Sequence, residues 1–128
     1  MAFRNFAKGR KRALDSGIMN KLEQEYAGIL EMRRLAGEID WWKYEAIKFR
    51  LTQDKCFYTP DFVVQLSDGI IEVHETKGHW EEDALLKIKF AAEQFPFRFV
   101  AVGKRPKKEG GGWWTREFGA RKEDVKND

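Results

Sequence analysis

The sequence predicts an α/β domain in which a mixed sheet is flanked by helices. Three observations predict it. Residues 18–36 and 80–95 carry apolar side chains at helical spacing. Between them lie two runs rich in aromatic and β-branched residues, 58–66 and 70–76, separated by Ser67-Asp68-Gly69. Turn residues between two such runs mark a hairpin. A further run of this kind, 97–102, follows the second helical segment. Strand, helix, strand implies a right-handed crossover, with 97–102 parallel to 70–76.

Taken in order, residues 1–15 lack sustained periodicity and read as a flexible basic arm. Ser16 is placed to cap the first helix, whose stripe is Leu22, Tyr26, Ile29, Leu30 and Leu35, and Gly37 ends it. Glu23 borders that stripe, and Glu25 lies nearer Ile29. Residues 39–51 read as one strand, with Trp41, Trp42, Tyr44, Ile47, Phe49 and Leu51 supplying β-preferring side chains. Thr52 to Lys55 is polar and turns the chain. The second helix has the stripe Ala84, Leu85, Ile88, Ala92 and Phe95, acidic residues in its first turn and Pro96 after its end. Lys87, Lys89 and Gln94 are polar positions on it within reach of a phosphate, and Lys89 reads as solvation. The triglycine 110–112 reads as a mobile loop, 113–118 as an edge strand and 119–128 as a frayed polar tail. The domain is thus expected to span 16–118.

Composition limits the function. With 128 residues the chain supports one domain with one core. No apolar run approaches the ~20 residues of a membrane span, and no signal peptide is visible. A single cysteine, Cys56, excludes an internal disulfide and suits a reducing cytoplasm. Net charge is only +3, but the basic residues cluster. Arg4, Lys8, Arg10, Lys11 and Arg12 form one acid-free group; Lys104, Arg105, Lys107 and Lys108 form another. Two basic clusters on a small domain point to a polyanion such as a nucleic acid. The Arg-rich start also fits a transit peptide or nuclear signal.

The hairpin carries the chemistry. With a three-residue loop closed by Gly69 in the left-handed region, Leu66 faces Ile70 and Asp61 faces Glu75. Facing residues share one side of the sheet, roughly 5 Å apart at Cβ. Lys77, two residues beyond Glu75, shares that side. A two-residue turn would instead pair Asp61 with Thr76. Two carboxylates so placed suit Mg2+, a hard cation held by one or two carboxylates plus water and phosphate oxygens. Lys77 would orient the attacking water or offset charge on phosphate. His74 faces the opposite side, and His74 and His79 read as surface or supporting residues, with no zinc-site spacing.

Pro60-Asp61, thirteen residues, then Glu75-Thr76-Lys77 resembles the PD-(D/E)XK nuclease superfamily. The resemblance implies a restriction-endonuclease-like αβββαβ core. It is closer to the Holliday-junction resolvase of T-odd phages, through Tyr58-Thr59-Pro60-Asp61-Phe62, Glu75-Thr76-Lys77-Gly78, and Trp80-Glu81 opening a helix. It is also similar to small phage nucleases with a Leu-Glu-x-x-Tyr helix and an Ala-Gly-Glu-Ile turn, here Leu22 to Tyr26 and Ala36 to Ile39. The insert between Asp61 and Glu75 is longer than in the resolvase. The likeness implies a glutamate on the first helix beside the metal carboxylates, for which Glu23 is the match and Glu25 the second choice. It implies subunits that exchange elements, so that Glu23 completes the partner's site.

The expected activity is Mg2+-dependent hydrolysis of DNA phosphodiesters, with Mn2+ able to substitute, on branched DNA in a phage-infected bacterial cytoplasm. Asp61, Glu75, the Thr76 carbonyl and Glu23 would hold the metal. Lys87, Arg10, Lys11, Arg12, Lys104, Arg105, Lys107 and Lys108 would contact DNA. A homodimer is expected, with Trp41, Trp42 and Tyr44 exceeding what one face of the core can bury. The alternatives are a DNA-end or transposon-type endonuclease, and a catalytically silent DNA-binding or phage assembly protein.

Overall fold

The computed structural model describes residues 18–78 and 82–119; the basic arm, Ser16, His79, Trp80, Glu81 and the tail from 120 lie outside them. Helix α1 (Lys21–Leu35) is followed by strands β1 (Ile39–Tyr44), β2 (Phe49–Thr52), β3 (Cys56–Tyr58), β4 (Phe62–Leu66) and β5 (Ile71–Thr76). Helix α2 (Glu82–Gln94), strand β6 (Arg98–Lys104), a 3-10 turn (Lys107–Glu109) and strand β7 (Trp113–Phe118) complete the order. Five strands form a mixed sheet in the order β1-β4-β5-β6-β7, and β2 and β3 form a separate ribbon. This is an α/β arrangement with β5 and β6 parallel, as the crossover argument requires.

α1 starts later than expected. Asn20 caps it: the Asn20 side chain accepts from the Glu23 amide at 2.8 Å, and Glu23 Oε1 accepts from the Asn20 amide at 2.9 Å. Gly37, at φ +83°, ends the helix as the sequence predicts. The buried stripe is Glu23, Tyr26, Ala27 and Leu30. Glu23 therefore stands in the stripe rather than beside it, while Ile29 and Leu35 face outward.

Two expected strands are each broken. Residues 39–51 do not run straight: Glu45 turns to φ +48°, and its amide donates to the Asp61 carbonyl at 2.8 Å. The chain then crosses to the ribbon, where Phe49 pairs with Tyr58. Residues 58–66 break at Pro60, which has no N–H for a ladder and is fully buried. Tyr58 therefore belongs to the ribbon and Phe62 to the main sheet.

The hairpin register is as read from the turn. Phe62 faces His74 and Val64 faces Glu72. The Leu66 amide donates to the Ile70 carbonyl at 2.8 Å, and Gly69 has φ +96°.

The sheet is packed on both sides. Phe62, Val64, Val100 and Val102 meet Tyr26, Ala27 and Leu30 of α1. Val73 and Phe99 meet Ile88 and Ala91 of α2 with Phe49, Leu51 and Tyr58 of the ribbon. Each fully buried side chain of this size contributes about 1.5–3 kcal/mol. Gln94, a candidate phosphate contact, instead donates to the Leu51 carbonyl at 3.1 Å and ties α2 to the ribbon. Trp42 and Tyr44 pack on Phe62, so the aromatic excess expected on this strand is largely absorbed, and Trp41 is left 40% exposed. The triglycine forms a defined turn, with Gly110, Gly111 and Gly112 all at positive φ. Among the described residues no helix is long and apolar enough to cross a membrane.

Candidate active site

The site lies where the β4–β5 ladder ends. Glu75 is two residues on from Val73, and Tyr58 of the ribbon reaches it on that side, donating to Glu75 Oε1 at 3.0 Å. The Asp61 amide donates to the same oxygen at 3.2 Å. Lys77 Nζ pairs with Glu75 Oε2 at 3.2 Å, and the Lys77 amide extends the parallel ladder by donating to the Val102 carbonyl at 2.8 Å.

Asp61 stands just beyond the first residue of β4, so its side chain is not confined to one face. Its Oδ2 accepts from the Thr76 amide at 2.9 Å and the Thr76 hydroxyl at 2.7 Å. Glu23 approaches from the α1 side, where Tyr44 donates to its Oε1 at 2.9 Å. The sheet end thus gathers Asp61, Glu75, Lys77 and Glu23 from three elements or their flanks.

Burial dominates the electrostatics. It raises the Asp61 pKa well above the usual carboxylate range, and the negative charges of Glu75 and Glu23 raise it further; the Thr76 bonds offset part of this. Burial also raises Glu75, opposed by the Lys77 charge and by the bonds from Lys77, Tyr58 and the Asp61 amide. Both carboxyls are thus pushed toward their neutral forms, and Lys77 opposes this at Glu75. The phenols of Tyr44 and Tyr58 are pushed upward, by burial first and then by the carboxylate each touches, so both remain hydrogen-bond donors.

A divalent cation fits the chemistry of this donor set: hard oxygens, two of them from adjacent carboxylates. Asp61 Oδ1 and Glu23 Oε2 receive no hydrogen bond from a described residue. No three of His, Cys, Asp and Glu among the described residues are gathered as they stand into a group that could hold a metal ion. Both oxygens of Glu75 are engaged, Oε1 by Tyr58 and the Asp61 amide and Oε2 by Lys77.

The other predicted residues separate. Glu25 faces away and pairs with Lys104 at 2.8 Å. Lys104 ends β6, and Thr76 pairs with Val102 on the neighbouring strand, so the β6–β7 connection emerges from the same end of the sheet as the carboxylates. Arg105, Lys107 and Lys108 are exposed there. Lys87 is exposed on α2. Arg10, Lys11 and Arg12 lie outside the described residues.

His74 is on the side opposite Glu75, as expected, but it is buried rather than superficial, 3% exposed. Its Nδ1 meets Tyr26 Oη at 2.6 Å and its Nε2 meets Glu72 Oε1 at 2.8 Å. This network lines a cleft of about 350 Å³ with Arg33, Arg98 and Glu117, away from the carboxylate cluster.

Sequence reasoning missed three hydroxyls, those of Tyr44, Tyr58 and Thr76. A signal existed for one: Tyr58 precedes Asp61 by three residues with Pro60 between them, so the two cannot lie in one continuous ladder. No family model, curated protein or solved structure matches this chain, so its chemistry is read from the site itself.

Proposed function

We propose that this chain is a metal-dependent DNA endonuclease built on a restriction-endonuclease-like core and acting on branched DNA. One observation carries the reading: the hairpin register sets Asp61 beside Glu75, with Lys77 on the outer oxygen of Glu75. Glu23 and the exposed basic residues of the β6–β7 connection, at the same sheet end, support it.

In this reading Asp61, Glu75, the Thr76 carbonyl and Glu23 would hold Mg2+ or Mn2+. Such an ion supplies an acidified water and neutralises charge on the leaving oxygen. Lys77 would orient the attacking water and steady phosphate charge. Arg105, Lys107 and Lys108 hold the backbone of the duplex. Paired cuts at a junction need two such sites, so the working form would be a homodimer in the host cytoplasm.

The test is cleavage of matched linear, nicked, flapped and four-way DNA with Mg2+ and with chelator. Cleavage preferring four-way DNA and abolished by chelator and by Asp61→Asn is the expected result. Cleavage of all substrates alike would favour a DNA-end or transposon-type endonuclease. A second reading, a catalytically silent DNA-binding module, has its own support: Glu75 is engaged at both oxygens and no ready three-residue metal group exists among the described residues. DNA binding without cleavage in any divalent cation would establish it.

A further inference from the structure

The three carboxylates of the cluster share one pattern of contacts. Each has one oxygen that accepts from a main-chain N–H and from a hydroxyl. Asp61 Oδ2 takes the Thr76 amide and the Thr76 hydroxyl. Glu75 Oε1 takes the Asp61 amide and the Tyr58 hydroxyl. Glu23 Oε1 takes the Asn20 amide and the Tyr44 hydroxyl. The second oxygens of Asp61 and Glu23 take no hydrogen bond from a described residue, and that of Glu75 meets Lys77.

We propose that Tyr44, Tyr58 and Thr76 are positioning residues that fix one oxygen of each carboxylate and so leave the other for a divalent cation. The proposal rests on the nuclease reading of this cluster. Geometry gives it substance beyond the hydrogen bonds. Tyr44 packs on Phe62 with ring centroids 5.4 Å apart, and Tyr58 stacks on Phe49 at 6.4 Å. These anchors lie on opposite sides of the sheet, in the α1 core and the α2–ribbon core. Each ring is thus held by packing that owes nothing to its carboxylate, and its hydroxyl arrives from a fixed point. A carboxylate held at one oxygen by two donors has lost its rotation before any ion arrives. Supporting partners that orient ligands in this way typically contribute 10–100-fold to metal affinity.

The pattern separates these residues from other buried donors. Tyr26 is just as buried and bonds His74, outside the cluster. Tyr26→Phe is therefore the control for a purely structural loss.

The experiment measures Mn2+ binding by calorimetry at one fixed pH, without DNA, for wild type, Tyr44→Phe, Tyr58→Phe and Tyr26→Phe. Thr76→Val and Thr76→Ser serve should a tyrosine variant fold poorly, since Ser restores the hydroxyl that Val removes. About tenfold weaker Mn2+ binding by Tyr44→Phe, Tyr58→Phe and Thr76→Val is expected, with Tyr26→Phe and Thr76→Ser near wild type. In cleavage assays kcat should fall with KM for DNA unchanged. Wild-type Mn2+ affinity in folded Tyr44→Phe and Tyr58→Phe overturns the positioning role and leaves the nuclease reading standing. Absence of both Mn2+ binding and cleavage in wild type overturns the nuclease reading, and this inference with it.

Discussion

Asp61 and Thr76 are joined twice, the Thr76 amide and hydroxyl both donating to Asp61 Oδ2 at 2.9 and 2.7 Å. With that oxygen saturated, a proton on Asp61 belongs on Oδ1. Burial, then Glu75 and Glu23, hold the pKa of this carboxyl well above its ordinary range. An acid whose pKa rises on folding contributes stability that is full below its unfolded value, about 3.9 for Asp, and lost as pH rises through the folded value. Metal-free protein should therefore lose stability as pH rises into that range. Asp61→Asn keeps the shape and removes the charge. In chelator it should melt no lower than wild type, with its advantage growing toward alkaline pH. A large drop in melting temperature for Asp61→Asn in chelator would contradict the buried paired-carboxylate geometry.

The basic residues of the β6–β7 connection divide into two groups. Lys104 is committed to Glu25 at 2.8 Å, whereas Lys107 and Lys108 make no ion pair among the described residues. Replacing Arg105, Lys107 and Lys108 together by Ala should weaken DNA binding. It should also lower the slope of log affinity against log salt by about 0.9 for each phosphate that the variant leaves unneutralised. Lys104→Ala alone should change the slope less. Single-turnover cleavage at saturating enzyme should move little. A slope equal to wild type in the triple variant would show that this connection does not touch DNA.

The Tyr26–His74–Glu72 network holds polar groups under α1. Tyr26→Phe leaves His74 Nδ1 buried without its partner, which costs about 1–3 kcal/mol. Denaturant unfolding measures this as a lower midpoint with unchanged slope. A midpoint equal to that of wild type would mean that water replaces the phenol.

Gly103 is fixed by contact rather than by conformation. A Cβ there would stand 2.4 Å from the Trp114 ring, which lies across the strand opposite Gly103. Gly103→Ala forces ring or strand to shift, and overpacking of this kind costs about 1–3 kcal/mol. Thermal melting should show the loss, and Gly103→Ala with Trp114→Ala should recover part of it.

What the sequence disclosed follows the range of the interaction. The hairpin register was legible because Ser67-Asp68-Gly69 sets it locally, and β5–β6 pairing because crossover handedness leaves one choice. Glu45 at positive φ carries no sequence mark, so the departure of the chain into the β2–β3 ribbon was hidden. Pro60 did mark the second break, but a run of β-preferring residues outweighed it. The hydroxyls on Glu23 and Glu75 come from residues 21 and 17 positions away. Contacts of that kind appear only when both cores are assembled.

Glu23 bears on the partner question. The resemblance to element-exchanging resolvases implies that Glu23 completes the site of a second chain. Here Glu23 lies close enough to Asp61 of its own chain to raise its pKa, and it is held there by Asn20 and Tyr44. The surface expected to drive dimer formation has also shrunk, since Trp42 donates to Glu31 at 2.9 Å and Tyr44 to Glu23. Each chain therefore owns its full set of carboxylates. Mixing Glu23→Gln with Asp61→Asn chains should give no more cleavage than the two variants measured apart. If two copies act on one junction, wild type mixed with Asp61→Asn should nick one strand where wild type alone makes paired cuts, and light scattering on four-way DNA should read two chains. Recovery of activity on mixing the two variants would show that α1 is exchanged and that the intrachain placement of Glu23 is not the working one.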